Sequence, residues 1–173
     1  MYDTLIADAY LGRPLPTKLT DKDLDKLYFI QRYLFSLVNE GEPARVFNAP
    51  FVNSMIANMQ LAVQGKLGAK KLSILSAHDS NVVPLLVYFN LTSADCLKRQ
   101  WKNETVHENC AVPIPFASNL LFELHQNDQN PSNYFVKVRY NGDYYKLCGK
   151  NSTECAFEEF AQKARTHLMD FDK

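Results

Sequence analysis

The sequence feature that most clearly suggests chemistry is a histidine joined to an aspartate, His78-Asp79, directly after a short apolar run. A donor histidine can form a charge-assisted hydrogen bond to a phosphate oxygen, and an adjacent carboxylic acid can protonate a leaving alkoxide. A helix beginning here would also favour a bound anion through its N-terminal N–H groups. The pair therefore suits hydrolysis of a phosphate ester. The structural alternative is that Asp79 simply caps a helix.

The remaining histidines, His107, His125 and His167, lack such a position and are interpreted as structural or surface residues. Residues 1–77 contain no histidine, so the pair lacks the upstream ligand that metal-dependent phosphohydrolases with an HD pair require. No G-x-S-x-G motif occurs, which argues against a serine hydrolase. We therefore expect neither a metal nor another cofactor.

The four cysteines form two local pairs with loop-like spacing. Cys96 and Cys110 are separated by 14 positions, and Cys148 and Cys155 by 7. Neither pair has the C-x-x-C spacing of a zinc knuckle or thioredoxin-like site. Two disulfide-closed loops are the simplest interpretation, and four unrelated buried thiols are the alternative.

Three N-x-[ST] sequons accompany the cysteines, and two of them lie inside the cysteine pairs; they begin at Asn90, Asn103 and Asn151. Sequons together with paired cysteines predict a secreted, lysosomal or lumenal protein. Residues 1–11 nevertheless lack the basic and apolar regions of a signal peptide. We therefore expect a chain that is incomplete at its front.

Composition excludes several classes of protein. Lys plus Arg and Asp plus Glu both number 19, so a neutral chain gives no reason to expect a nucleic-acid partner. No apolar run approaches the roughly 20 residues that span a bilayer. A hydrophobic fraction of 46% over the 173 residues indicates a globular domain of the α/β or α+β class.

Periodicity predicts the elements that position His78 and Asp79. Apolar residues at helical spacing predict one helix after Thr20, ended by Gly41 and Pro43, and a second over residues 51–64. The run at 72–76 reads as a short buried strand, and residues 82–89 as the next helix. A strand, a polar turn and a helix in succession place functional residues at the carboxyl edge of an α/β sheet.

The C-terminal part has a strand-like pattern. Three strands are predicted over residues 116–125, 134–140 and 143–147, with Asn141-Gly142 as a hairpin turn. A final helix is predicted over residues 156–169. The two early helices carry Met and aromatic stripes that we interpret as core; on the first helix the stripe comprises Leu24, Leu27, Tyr28, Leu34, Phe35 and Val38.

Residues 71–81, KLSILSAHDSN, resemble the second motif block of the histidine acid phosphatases of prostatic and lysosomal type. Four further segments resemble that family in the same order: YDTL at 2–5, FASNLLFEL at 116–124, VRYN at 138–141, and the late cysteine pair followed by FEEF at 157–160. The resemblance covers essentially the whole chain. Because its sharpest motif is only four residues long, collinearity carries the argument.

The resemblance implies a phosphoglycerate-mutase-like α/β fold with flanking helices that lacks its N-terminal strands. Residues 1–173 would form the C-terminal portion of the domain, with 1–50 as a helical cap-like part and 51–173 as an α/β part with antiparallel strands. By matching position, His78 would bind the phosphate and Asp79 would be the general acid. The substrate would be a small phosphomonoester, without a metal, and homodimer formation is left open.

One departure from the family pattern is decisive. In the family, a histidine within Arg-His-Gly attacks phosphorus and forms a phosphohistidine, and this sequence contains no Arg-His-Gly. We therefore expect the complete protein to hydrolyse phosphomonoesters at acid pH and the 173-residue chain alone to be inactive. The alternative is a non-catalytic domain, derived from a phosphatase, that binds phosphate or a partner.

Overall fold

A computed structural model describes residues 2–16, 19–106, 109–112, 115–148 and 152–166. Within these ranges the chain forms a mixed α/β structure with an open antiparallel sheet. The helices are α1 Tyr2–Tyr10, α2 Asp21–Leu37, α3 Glu42–Val63, α4 Asp79–Tyr88, α5 Ala94–Trp101 and α6 Phe157–Thr166. The strands are β1 Leu120–Gln126, β2 Tyr134–Tyr140, β3 Asp143–Tyr145 and β4 Cys155–Ala156.

Strand β2 is the centre of the sheet. It pairs antiparallel with β1 along its full length, from Leu120 opposite Tyr140 to Gln126 opposite Tyr134. Strands β3 and β4 both pair with β2 as well, again antiparallel. Asn141 and Gly142 join β2 to β3 with φ angles of 49° and 98°, which are the left-handed values that a two-residue hairpin turn requires. The predicted hairpin is confirmed.

The core lies between one face of the sheet and three helices. Side chains alternate along a strand, so one face of β1 and β2 carries the apolar set Phe122, Leu124, Val136 and Val138. Helices α3, α4 and α6 cover this set, with Ile56, Leu86 and Phe160 each at most 2% exposed. This packing determines which side of α4 is buried, and α4 is the helix that begins at Asp79.

Several predicted helix boundaries agree with the structure, but α3 begins earlier than predicted, and so does α4, at Asp79 instead of residue 82. Thr20 caps α2, and Asp23 completes a capping box with it. Gly65, with a φ of 68°, follows the end of α3 as expected. Helix α3, however, begins at Glu42 instead of residue 51. Pro43 lies in its first turn, where a missing N–H costs no intrahelical hydrogen bond, so it starts this helix as well as separating it from α2.

Sequence patterns missed three elements and overstated one apolar stripe. Helices α1 and α5 and the short strand β4 were not predicted; α5 lies inside the loop closed by Cys96 and Cys110. On α2, Leu34 is 46% exposed and Val38 61% exposed, so the prediction that both are core is wrong. The second half of α2 is apolar on more than one side, and its neighbours among the described residues cover only part of it.

The predicted buried strand at 72–76 is also wrong. Residues 70–78 have no regular secondary structure and all are exposed; Leu72 is 71% exposed and Ile74 80%. A strand needs a neighbour for its backbone N–H and C=O groups, and no described strand pairs with this segment.

No described helix is long and apolar enough to span a membrane.

Candidate active site

His78 and Asp79 lie at the beginning of α4. His78 is the N-cap residue, with an extended backbone (φ −103°, ψ 171°), and Asp79 is the first helical residue. The following residues hold the helix in place, because Val83 and Leu86 are fully buried against the core. Because one side of α4 packs against the core, the backbone of His78 and Asp79 is held in place although both residues are exposed.

Local hydrogen bonds shape the start of α4. The His78 backbone N–H donates to Asn81 Oδ1 at 3.0 Å, which is one half of a capping box. The Ser80 N–H donates to Asp79 Oδ1 at 2.7 Å, so this carboxylate turns back over the first turn. A carboxylate held there shows that the helix N-terminus accepts negative charge. His78 is the N-cap, so the capping alternative holds for Asp79 only as a contact with the Ser80 N–H inside the first turn.

Both candidate side chains are exposed, as are residues 70–77 before them. The structure has His78 and Asp79 as neighbours at one helix end, and no other predicted site residue in the described ranges lies in that helix turn. His125 instead lies at the far end of β1, where its Nε2 is 3.2 Å from Glu123 Oε2. His107, His167 and Asn151 lie outside the described residues.

The disulfides and two sequons lie in other elements of the chain, and three of the four disulfide cysteines are buried. Cys96 pairs with Cys110 and Cys148 with Cys155, the pairs that their spacing predicts, with Cα–Cα distances of 5.8 and 5.5 Å. Asn90 and Asn103 are both exposed, each with a left-handed backbone (φ 52° and 57°).

Sequence reasoning missed a charged cluster on the sheet face that the helices leave open. Glu123 accepts hydrogen bonds from His125 and from the Tyr144 hydroxyl at 3.1 Å, and lies 3.2 Å from Arg139 Nη2. Lys137 pairs with Glu154 at 2.9 Å beside it. Alternation of charged and apolar residues in FEL at 122–124 and VKVR at 136–139 was the signal that could have located this cluster.

Opposing effects set the ionisation of Glu123. Burial acts to raise the pKa of its carboxyl, but hydrogen bonds from His125 and Tyr144 and the charge of Arg139 outweigh burial and lower the pKa. The cluster thus joins β1, β2 and β3 through an ionised carboxylate.

A cavity in the described part of the chain lies away from His78. It measures about 330 Å³ and lies between the N-terminus of α3 and the C-terminus of α4, lined by Gly41, Ala44, Arg45, Val87, Tyr88 and Asn90. The Tyr88 hydroxyl donates to the Ala164 carbonyl, and burial raises the pKa of Tyr88 to about 12, against a smaller opposing effect of Arg45. Since α4 separates this cavity from Asp79 by about 13 Å of helix, we do not assign it to the site.

Metal-ligating groups converge at one place among the described residues. Cys148, Cys155 and Glu159 have potential ligand atoms within 4.8 Å of one another. Both sulfur atoms are bonded to each other in the disulfide, so they are not available as thiolate ligands. His78 and Asp79 belong to no such group in the described part of the chain.

Comparison with known proteins gives consistent matches. The family model "Histidine phosphatase superfamily (branch 2)" matches residues 20–141. The chain is 27% identical over 171 residues to prostatic acid phosphatase of Rattus norvegicus, covering 94% of the chain and 39% of that protein. It is 25% identical to lysosomal acid phosphatase of Bos taurus (84% and 31%) and 24% identical to Counting factor 60 of Dictyostelium discoideum (90% and 33%). The chain therefore spans about a third of the length of these relatives.

Proposed function

The chain belongs to branch 2 of the histidine phosphatase superfamily, and from this premise we propose that His78 and Asp79 serve phosphomonoester hydrolysis at acid pH. The observation that carries the proposal is their placement as consecutive residues at the N-terminus of α4. A helix N-terminus is a favourable position for a phosphate group.

In the proposed reaction His78 donates a hydrogen bond to a phosphate oxygen and so holds the ester beside Asp79. Asp79 in its acid form gives its proton to the oxygen of the leaving alcohol as the P–O bond breaks.

We propose that the nucleophile of this reaction comes from residues other than these 173. The family resemblance implies a histidine within Arg-His-Gly, which this sequence does not contain. We propose that the complete protein supplies it on a strand that pairs with residues 72–76. Support comes from the exposure of that apolar segment, with which no described strand pairs, and from the roughly threefold greater length of the relatives. Residues 1–50 and 51–173 would then be the cap-like and α/β parts of one domain.

The names of two relatives and the paired cysteines support a secreted or lysosomal location. An oxidising compartment allows the disulfides to persist, and an acid one suits a carboxylic acid as proton donor.

The decisive experiment uses leaving groups of different basicity. We expect the 173-residue chain to release no alcohol from an aryl phosphate, and a longer reading frame that includes Arg-His-Gly to do so. In that longer protein, Asp79→Asn should slow alkyl phosphates far more than nitrophenyl phosphate, because a good leaving group needs no proton. Asp95→Asn, an exposed carboxylate on α5, is the matched control and should change neither rate. Turnover by the short chain alone, or equal slowing of all esters, would refute these roles.

A second candidate function is binding of phosphate or a partner without hydrolysis. Two observations favour it: this sequence contains no Arg-His-Gly, and the name of one relative, Counting factor 60, does not mention a phosphatase. Under this alternative, the folded short chain binds inorganic phosphate, and His78→Ala removes the binding measured by calorimetry. A short chain that aggregates through its exposed apolar segment supports the first proposal instead.

A further inference from the structure

Helix α5 ends in a fixed turn that exposes one sequon. The Asn103 N–H donates to the Gln100 carbonyl at 3.0 Å and the Glu104 N–H to the Arg99 carbonyl at 2.9 Å. These two bonds form a Schellman motif, which requires a left-handed residue at Asn103, and asparagine tolerates that conformation well. Residues 101–105 are all exposed. The turn therefore presents the amide of Asn103 and the hydroxyl of Thr105 on an open, ordered surface.

An aromatic ring lies two residues before this asparagine. Trp101 stacks on Phe29 of α2 with ring centroids 4.6 Å apart and an interplanar angle of 17°, and Phe29 in turn stacks on Tyr33. Trp101 nevertheless remains 44% exposed. The indole is thus fixed from one side and open to solvent on the other. An exposed, immobilised aromatic face is a suitable platform for the C–H face of a sugar ring.

The distance between the two residues allows such a contact. Cα atoms two residues apart are at most about 7.6 Å from each other, and the Schellman turn brings them closer than an extended chain would. The disulfide between Cys96 and Cys110 closes the loop that contains both Trp101 and Asn103. This loop keeps the ring and the amide on the same small surface unit.

The sequon at Asn90 also has an exposed, left-handed asparagine at a helix end, but the two residues after it differ. Its Leu91 is fully buried and its Thr92 is 1% exposed. The Thr92 hydroxyl donates to the Ala111 carbonyl at 2.8 Å, so it belongs to the core in the folded chain. Of the two sequons that the structure describes in full, the one at Asn103 has all three of its residues on the surface.

We propose that Asn103 carries an N-linked glycan and that the first sugar of this glycan packs on the open face of Trp101. The donor is a lipid diphosphate-linked oligosaccharide. The Asn103 amide nitrogen forms a C–N bond to C1 of the first sugar while the C–O bond to the diphosphate breaks. The amide proton passes to a base of the transferase, and the lipid diphosphate leaves. The inference rests on the proposed lumenal location but not on hydrolysis.

Attachment is tested by cell-free translation of the chain, behind a cleavable secretory leader, with endoplasmic-reticulum microsomes. Because the leader delivers the chain to the lumen, the result does not depend on whether the short chain is an enzyme. We expect a protease-protected product with a glycosidase-sensitive mass increase that Asn103→Gln and Thr105→Ala each remove. Asn90→Gln and Asn151→Gln are the matched controls and should retain that increase. An imported, leader-cleaved chain whose mass is unaffected by Asn103→Gln would overturn the proposal.

The sugar contact is tested by comparing melting temperatures in two backgrounds. With Trp101 present, we expect the glycosylated chain to melt about 2–4 °C above its Asn103→Gln variant, a shift typical of one modest interaction in a chain of this size. A glycan trimmed to its first sugar should retain the difference. With Trp101→Leu, which keeps an apolar cover on Phe29, the difference should vanish. An equal difference in both backgrounds would refute the contact, and far-ultraviolet circular dichroism confirms that each variant is folded.

Discussion

Two neighbouring parts of the chain differ sharply in how they are held. The body formed by the sheet and α3, α4 and α6 buries its apolar residues almost completely, as Val138 and Leu86 show at 0% exposure. The segment 70–81, directly before and into α4, is exposed throughout, although Leu72, Ile74 and Leu75 are equally apolar. The difference teaches that apolar composition alone does not bury a segment. Burial also needs partners for the backbone and for the side chains.

The contrast between the packed body and the exposed segment bears on the proposed function. The residues proposed for chemistry lie on the exposed segment, at the point where it enters the packed body. The body fixes α4, whereas the segment leaves His78 and Asp79 accessible. Stability and proposed activity should therefore respond to substitutions in different places, and the following predictions test that separation.

The largest effect is expected in the core. Phe160 is 2% exposed and lies 5.9 Å from Phe89 and 6.3 Å from Phe122, measured between ring centroids. Phe160→Ala should lower the free energy of unfolding by about 3–5 kcal/mol, from lost transfer energy and a cavity. Ile74→Ala, the control in the exposed segment, should change it by no more than about 0.5 kcal/mol. Urea unfolding followed by circular dichroism measures both, and similar losses would break the comparison.

The next effect concerns the cross-links, both of which stabilise the body. Replacing Cys96 and Cys110 together by serine should cost about 3 kcal/mol, because the closed loop of 14 positions restricts the unfolded chain. The 7-position loop between Cys148 and Cys155 should give about 2 kcal/mol by the same reasoning. Thiol labelling in denaturant without reductant, followed by mass spectrometry, checks that each cysteine is paired. Labelling under these conditions would contradict the interpretation as disulfides.

A smaller effect is expected at the open sheet face. Glu123→Gln should lower the free energy of unfolding by about 1 kcal/mol, because Tyr144 and Arg139 lose a charged acceptor on a partly exposed surface. The folded-state pKa of Glu123 is lowered, so its stabilisation is complete above the unfolded pKa of about 4.3 and is lost as pH falls through the folded value.

The pH dependence supplies the measurement. Thermal melts of the parent and Glu123→Gln chains between pH 3 and pH 7 should differ most above about pH 5 and converge in stronger acid. The exposed pair Asp95–Arg99 on α5 is the control, and Arg99→Gln should have a smaller effect at each pH. A difference that grows toward low pH would contradict the assignment.

Local patterns predicted the parts of the fold that local interactions determine. Thr20 with Asp23, Gly65, and the Asn141-Gly142 turn each act within a few residues, so their sequence signals were sufficient. The segment 72–76 has an equally strong local signal, yet its strand requires a neighbour distant in sequence, and no described residue provides one. The Glu123 cluster also depends on contacts between residues distant in sequence. Its members meet only after three strands have paired, so sequence reasoning missed it.

The site follows the same rule. The His78-Asp79 position at a helix N-terminus was predictable, because strand-like residues, a polar turn and a helical run follow one another along the chain. Helix α5 was not predicted, because its residues were interpreted as part of the loop that Cys96 and Cys110 close. Its discovery places Trp101 beside Asn103, a relation that the spacing of cysteines and sequons did not indicate.

The smallest effect on stability is expected at the proposed catalytic pair itself. His78 and Asp79 are exposed, and the hydrogen bond from the His78 N–H to Asn81 persists in both His78→Ala and Asp79→Asn. In Asp79→Asn the side-chain oxygen can still accept from the Ser80 N–H, so that only the charge of this acceptor is lost. Both variants should therefore melt with the parent chain, whereas Asn81→Ala, the matched change in the same turn, should lower the melting temperature slightly because it removes a cap contact. Differential scanning fluorimetry measures all three. A clear loss in either variant would mean that the pair supports the body, and the capping role of Asp79 would then explain its presence better than proton donation does.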